Sequence, residues 1–486
     1  MKKFWKWART RPALFSGLLA LLINLQRVWL PSFWYDEVFT LNAINRPLDE
    51  LLILTTTQVD AVHLAYYLFM WAWTSVFGFS ELAVRLPSVI AVGIGAYFTS
   101  RVAERLFERG SIALASGLAL GLLPMTLAVS TWARSYALQA AVFAALLWVF
   151  IGAMEKVSAG KPSPRTIWRW ALFATLLTLL IHLTIYAALL TPVFALWALQ
   201  LVGPRRWREL VVTWGSLAIA LALSVPVLLL AAGQRSQIDW TGRPSFDSIF
   251  FDQLFGTTLL AAFIGWSLIL AAASYALQRQ SSKSHRVSVA FLTLTYAVPT
   301  ILVAALSWGR LLGQSLYNTK YFHFVAPAMA ILMGLGLHLL VRSTSLRSRI
   351  AAALVVSILL VPSLERSTKG RDGDWLAGIA AISASEVESA GYWLAGDHTS
   401  SLLYVYGDRL AGYRDLTRTT EPASGLMTEV IPLEDAVNSS RELRQRLFVG
   451  YRIVNREKIA AELRGLGVTE FEEIYTDGRF EIVLVS

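Results

Sequence analysis

Two carboxylates stand side by side in PSFWYDEVFTL, residues 31–41: Asp36 and Glu37, directly behind Trp34 and Tyr35 after an almost uncharged run. Carboxylates beside an apolar segment lose hydration, and an isolated pair of this kind is commonly a solvated loop at a membrane edge. Other residues change that balance. Arg134 lies in STWARSYAL and Lys320 in SLYNTKYFHF, each at the start of an apolar run, and Arg85 and Arg243 fall at comparable positions. A lone cation there often anchors a helix by snorkelling toward water and lipid phosphate. Several cations on one face, with carboxylates on the same face, better suit a bound anionic head group. Phosphate asks for an Arg fork or an ammonium flanked by hydroxyls, and Tyr136, Tyr317 and Tyr321 are of the right type. In such a site a carboxylate takes the proton of an acceptor hydroxyl. Cations hold the phosphate and neutralise its charge as it departs.

Placing these residues on one face depends on the elements that carry them. Of 486 residues, 55% are hydrophobic and 16% charged. A soluble chain of that length cannot hide so much apolar surface, so the composition implies a polytopic membrane protein. Eighteen Trp and 16 Tyr suit two interfacial aromatic belts. The net charge of +10 does not imply nucleic acid, because membrane proteins concentrate Lys and Arg in cytoplasmic loops. The absence of Cys excludes disulfides, thiolate metal sites and Cys nucleophiles. The start MKKFWKWARTRP and the apolar run after it resemble a signal peptide, but the run ends in INLQRVWLPS without a small-x-small cleavage site. An uncleaved first span is expected.

Apolar runs near 12–30, 86–107, 112–131, 134–153, 168–186, 187–202, 209–231, 257–278, 287–308, 321–341 and 350–363 predict about eleven spans. Positive charges cluster at alternate ends of these runs: Lys2, Lys3, Lys6, Arg9 and Arg11; Arg101, Arg105 and Arg109; Lys156, Lys161, Arg165 and Arg169. The pattern continues with Arg205, Arg206 and Arg208, then Arg279, Lys283 and Arg286, then Arg342, Arg347 and Arg349. Placing every cluster in the cytoplasm puts the N-terminus inside and the 366–486 tail outside. The apolar stretch at 63–79 must then not cross. It is expected as a helix on or dipping into the outer face, which makes 31–85 one external loop containing Asp36, Glu37, Asp60 and His63.

The tail differs in character. It has mixed charges, strand-like LLYVYG and EIVLVS, and a helix-like NREKIAAELRGLG ending in glycines. FEEIYTDGRFEIVLVS reads as a hairpin around Asp477 and Gly478. The domains expected are therefore 1–365, a transmembrane catalytic domain, and 366–486, a soluble α/β domain outside the membrane.

On these motifs the sequence resembles the C-type (GT-C) integral-membrane glycosyltransferases, which include the dolichyl-phosphate-mannose protein mannosyltransferases and the lipid A aminoarabinose transferases. SFWYDEVFTL resembles their W-x-D-E segment, and VDAVHLAYYLFMWAWTSVFGFSELAVRLPSVIAVGIGA resembles their H-P-P-L-Y-Y…F-G-x-S-E-x-x-x-R-L-P-S block. TWARSYAL resembles A-R-x-Y-A-L, and TKYFHFVAP resembles R-Y-x-x-x-x-x-P. The resemblance runs in order through about 330 residues. It implies inverting transfer of a sugar from a polyprenyl-phosphate donor to a lipid, glycan or protein acceptor on the extracytoplasmic face. Asp36 would match the general base and Arg134 a donor-phosphate contact. Lys320 stands where Arg is usual, keeping the charge without the bidentate fork. His63 opens the H-P-P-like segment, with Leu64 and Ala65 in place of both prolines.

Neighbouring side chains diverge, so Glu37 is expected to orient the site or contact a metal while Asp36 faces the acceptor. Asp60 is read as an N-cap for the 61–79 helix or a second acceptor contact. Tyr35 and Arg85 are read as acceptor contacts or structural support, and His182 is read as structural. No cluster has zinc spacing, and no Gly-rich phosphate loop suggests a nucleotide-sugar donor. The expected cofactor requirement is none beyond the lipid-linked sugar phosphate, with a divalent ion not called for. Trp34, Trp132 and Trp240 would stack on sugar or isoprene, or belong to the aromatic belt. Two rival functions remain at this point. A flippase of lipid-linked glycans would need ionisable groups near mid-membrane, where these runs carry few. A scaffold with inactive motifs would not need the intact acidic and basic segments.

Overall fold

The computed structural model describes residues 10–26, 28–58, 60–158, 164–203, 207–238, 241–256, 258–278, 281–309, 313–342, most of 350–361, 374–394 and 407–416, and 431–485. Trp240, Lys2, Lys3, Lys6, Arg9, Lys161, Arg205, Arg206, Arg279, Arg347 and Arg349 lie outside the described residues.

Helices dominate because a bilayer offers no water to backbone N–H and C=O groups, so each spanning segment must close its own hydrogen bonds. Among the described residues, seven helical segments are long and apolar enough to cross a membrane: Glu81–Phe107, Tyr136–Val157, Ile185–Val202, Glu209–Gly233, Leu259–Leu277, Lys283–Trp308 and Thr319–Val341. The chain is a multi-pass membrane protein. Three further expected spans form shorter apolar helices, Pro12–Leu25, Gly110–Leu122 and Ile167–Leu183, and the run at 350–363 lies partly outside the described residues. The 112–131 run breaks because Pro124 drives Leu123 out of the helical region, to ψ 128, before Pro124–Val129 resumes. The stretch expected not to cross forms Leu64–Phe77, 14 residues.

The chain divides into two compact units. The first comprises Met1–Gln26, Thr55–Tyr66 and Arg85–Arg366. Its core is apolar side chains from most of its helices, with Phe150 packed among Phe173, Phe194 and Trp197, and Trp197 stacked on Phe291 at 3.5 Å. Close helix contact there needs a small residue: a Cβ on Gly334 would lie 2.6 Å from the Ser116 nitrogen.

The second unit comprises Arg27–Leu54, Tyr67–Val84 and Ser367–Ser486. Its sheet has strands β1 (Gly391–Leu394), β2 (Arg414–Asp415), β3 (Leu447–Arg452), β4 (Phe471–Thr476) and β5 (Phe480–Val485) in the order β2-β1-β3-β5-β4. The β1 strand runs parallel to β2 and β3, while β5 runs antiparallel to β3 and β4. The predicted hairpin is β4–β5, with Gly478 at φ +83, and NREKIAAELRGLG supplies the helix Arg456–Gly465. Residues 402–406 of LLYVYG lie outside the described residues. β5, with a strand on either side, is buried along its length, and the edge strand β4 is largely exposed.

Candidate functional site

In the second unit, Asp36 and Glu37 occupy the first turn of the helix Tyr35–Ile44, where acidic residues suit the positive end of the helix. Trp34 is extended, and the Glu37 carboxylate reaches back to accept the Trp34 N–H at 3.3 Å. This is one arm of a capping box. Glu37 is 0% exposed. The carboxylate thus closes the first turn of its own helix. Among the described residues no group of three or more His, Cys, Asp or Glu is placed to hold a metal. Asp36 and Tyr35 are half-buried, and Thr40 Oγ1 donates to the Asp36 carbonyl at 3.0 Å.

In the first unit, Asp60 begins the segment carrying His63. Its backbone is left-handed, φ 58 and ψ 32, and its side chain makes no cap hydrogen bond. The expected N-cap fails because capping needs an extended backbone that folds the side chain over the following N–H groups. Two glutamines serve the segment instead. Gln237 Oε1 accepts the Asp60 N–H at 3.0 Å, and Gln234 Oε1 accepts the Ala61 N–H at 2.8 Å. Gln234 Nε2 also donates to the Thr55 carbonyl at 3.1 Å, so one side chain fixes both ends of the turn.

His63 and Arg134 are both buried, 6% and 7% exposed, with His63 Nε2 3.4 Å from an Arg134 Nη2. A guanidinium only donates, so Nε2 can only accept in this contact. Arg134 lies in the bend between Pro124–Val129 and Tyr136–Ser158. Ser88 pins that bend by donating to the Trp132 carbonyl at 2.7 Å, and Arg85, 1% exposed, lies three residues earlier on the same helix.

Lys320, 9% exposed, and Tyr321 belong to a seven-residue 3₁₀ turn, Thr319–Val325, whose start is capped by Asn318 Oδ1 accepting the Lys320 N–H at 3.3 Å. The Tyr321 ring lies 6.5 Å from Tyr136, which lies 6.0 Å from Trp132. The structure thus gathers His63, Arg134, Tyr136, Tyr321 and Trp132, with Lys320 adjoining Tyr321. Tyr317 does not join them. Its hydroxyl lies 3.0 Å from both the Ser248 carbonyl and Gln253 Oε1, and its ring stacks on Phe322 at 5.1 Å. Burial, then the neighbouring Tyr296 and Asp252, pushes the Tyr317 hydroxyl up. Burial, then Asp247, raises the Asp252 carboxyl. Arg243 is exposed, and His182 Nδ1 lies 2.8 Å from the Thr178 carbonyl of its own helix, a structural role as read.

Sequence reasoning missed Tyr186, stacked on Tyr321 at 6.0 Å and 17°, and the two glutamines. Tyr186 lay within LIHLTIYAAL, where the histidine drew attention. The glutamines carried no signal, because only the fold brings residues 173 and 177 positions apart together.

Residues 63–230 match the family model described as dolichyl-phosphate-mannose-protein mannosyltransferase. That stretch contains His63, Arg85, Arg134 and Tyr136; it begins after Asp36 and ends before Lys320. A search of curated protein sequences finds no match. Among solved structures, ArnT from Cupriavidus metallidurans in the apo state is similar at 13% identity and a TM-score of 0.56 over 97% of each chain. The same protein bound to undecaprenyl phosphate is similar at 13% identity and a TM-score of 0.54, again over 97% of each. The Archaeoglobus fulgidus oligosaccharyltransferase in complex with Zn and sulfate is similar at 11% identity and 0.54, over 92% of this chain and 69% of that one. The likeness to C-type integral-membrane glycosyltransferases read from the motifs is borne out, and the fold of this chain is similar to that of these solved structures.

Proposed function

We propose that this chain is an inverting glycosyltransferase that moves a sugar from a polyprenyl-phosphate donor to a glycolipid, polysaccharide or protein acceptor on the extracytoplasmic face of the cell membrane. The observation that carries the reading is the buried pair of cation-bearing segments. Arg134 and Lys320 each adjoin a tyrosine-lined turn, and Tyr136 and Tyr321 bring those turns to 6.5 Å. Buried cations with neighbouring hydroxyls suit a phosphate ester. The similarity to a protein solved with undecaprenyl phosphate supports that class of donor.

In this reading Asp36 takes the proton of the acceptor hydroxyl, and the freed oxygen attacks the anomeric carbon opposite the phosphate. The bond from that carbon to the phosphate oxygen breaks, and polyprenyl phosphate leaves with the electron pair. One displacement inverts the configuration. Arg134 and Lys320 receive the charge on the leaving phosphate, supplying the neutralisation that a divalent ion gives elsewhere. His63 orients Arg134, Tyr136 and Tyr321 flank the phosphate, Asp60, Tyr35 and Arg85 support the acceptor, and Glu37 holds the turn that carries Asp36. The N-terminus is cytoplasmic and the tail extracytoplasmic, following the arginine clusters.

The test uses the full chain in lipid nanodiscs with a panel of radiolabelled undecaprenyl-phosphate sugars. Asp36→Asn is expected to lower transfer by about 10²–10⁴-fold while undecaprenyl phosphate still binds. Wild-type turnover in that variant would remove Asp36 as the base. Deleting the gene and comparing extracted glycolipids by mass spectrometry identifies the sugar and its acceptor.

A further inference from the structure

The second unit holds the segment 32–37 and the tail together through a run of short contacts. At the β4–β5 turn, Asp477 Oδ1 accepts the N–H groups of Arg479 and Phe480, both at 2.8 Å. Its other oxygen accepts the Asp374 N–H at 2.6 Å. Asp374 in turn caps the helix Trp375–Ala384, its Oδ1 accepting the Ala377 N–H at 3.1 Å. Trp375 packs on Phe480 with ring centroids 3.7 Å apart, and its N–H donates to Ser32 Oγ at 3.2 Å. Ser32, Phe33 and Trp34 are 1%, 1% and 6% exposed. Four residues after Ser32 comes Asp36, in a helix only ten residues long.

A helix of that length has little stability of its own, so its position depends on what grips it. Glu37 grips it from within. The tail grips the segment leading into it at Ser32.

We infer that the C-terminal domain positions the Asp36 turn, and that Ser32, Trp375 and Asp374 are positioning residues for the carboxylate at 36. This rests on the proposed role of Asp36 and assigns the tail a part in that same reaction. The tail works by removing freedom from the backbone that presents the base, so its loss shows in turnover and not in donor affinity. A misplacement of about 1 Å is enough to lower a rate on the order of a hundredfold.

The experiment compares wild-type full chain with Ser32→Ala, Ser32→Thr, Asp374→Ala and Asp374→Ser. Three quantities are measured: amide hydrogen exchange across 35–44, affinity for undecaprenyl phosphate, and transfer from mannosyl undecaprenyl phosphate as probe donor. Ser32→Ala and Asp374→Ala are expected to speed exchange across 35–44 at least about fivefold, the loss of one buried hydrogen bond or cap. They should lower kcat by a similar factor with undecaprenyl phosphate affinity unchanged. Ser32→Thr and Asp374→Ser, which keep the acceptor oxygen, should restore both. Unchanged exchange and kcat in both alanine variants overturns the inference. So does an equal fall in donor affinity, which marks general destabilisation. Faster exchange in variants of a chain whose Asp36→Asn form retains full turnover overturns the role of Asp36 while leaving the mechanical link intact.

Discussion

Lysine at 320 offers phosphate a point charge where arginine would offer two parallel N–H donors. Lys320→Arg is therefore expected to hold or tighten undecaprenyl phosphate binding. Lys320→Met should weaken it roughly tenfold or more, the worth of a hydrogen bond to a charged group. Titration calorimetry in detergent decides between them. Glu37 gives a sharper contrast. Because its carboxylate accepts the Trp34 N–H, Glu37→Gln keeps an acceptor and should retain turnover. Glu37→Ala should lose about 1 kcal/mol of stability, read as a lower unfolding temperature. A catalytic Glu37 would instead fail in the glutamine variant. The carboxylate pair was legible in the sequence, but the capping role of Glu37 was not. The usual signature begins with Ser or Thr, and here Trp34 stands at the cap. Asp60 shows the opposite failure: the residue type promised a cap, and a backbone at φ 58 withdrew it.

Among the elements, the turn Thr319–Val325 is unusual. A 3₁₀ stretch rarely exceeds three or four residues because its hydrogen bonds are poorly aligned. This one is seven residues long, so side chains must hold it in place. His323, 0% exposed, lies with Nε2 3.3 Å from Thr126 Oγ1 on Pro124–Val129, the helix that leads to Arg134. On the opposite side, Gln253 Nε2 donates to the Phe322 carbonyl at 3.4 Å. Thr126→Val is expected to weaken undecaprenyl phosphate binding about fivefold, and adding His323→Leu should make it little worse, since both remove one interaction. Additive losses would show that the two residues act apart. The helix Leu64–Phe77 was legible as an apolar run. The 3₁₀ turn was not, since its residues are as apolar as those of the helix that follows.

At the scale of the molecule, orientation can be read directly because the chain contains no Cys. Single cysteines at Glu470 and Lys283, both exposed, should divide cleanly in intact cells. A membrane-impermeant maleimide is expected to label Glu470→Cys and spare Lys283→Cys; the reverse pattern inverts the topology. Composition alone gave the membrane class, and turn and helix signals gave the terminal hairpin and the helix Arg456–Gly465 of the tail. Composition could not reveal that residues 27–54 and 67–84 pack with 367–486, because nothing local links positions 343 apart, such as Ser32 and Trp375.

That separation also acts in time. Ribosomes add roughly 5–20 residues per second, so Ser32 is made about 20–70 seconds before its partner Trp375. Through that interval the turn that carries Asp36 lacks its contact with the tail. If the tail positions Asp36 as inferred, nascent and prematurely terminated copies transfer little sugar, and competence arrives only when synthesis has passed the last hairpin.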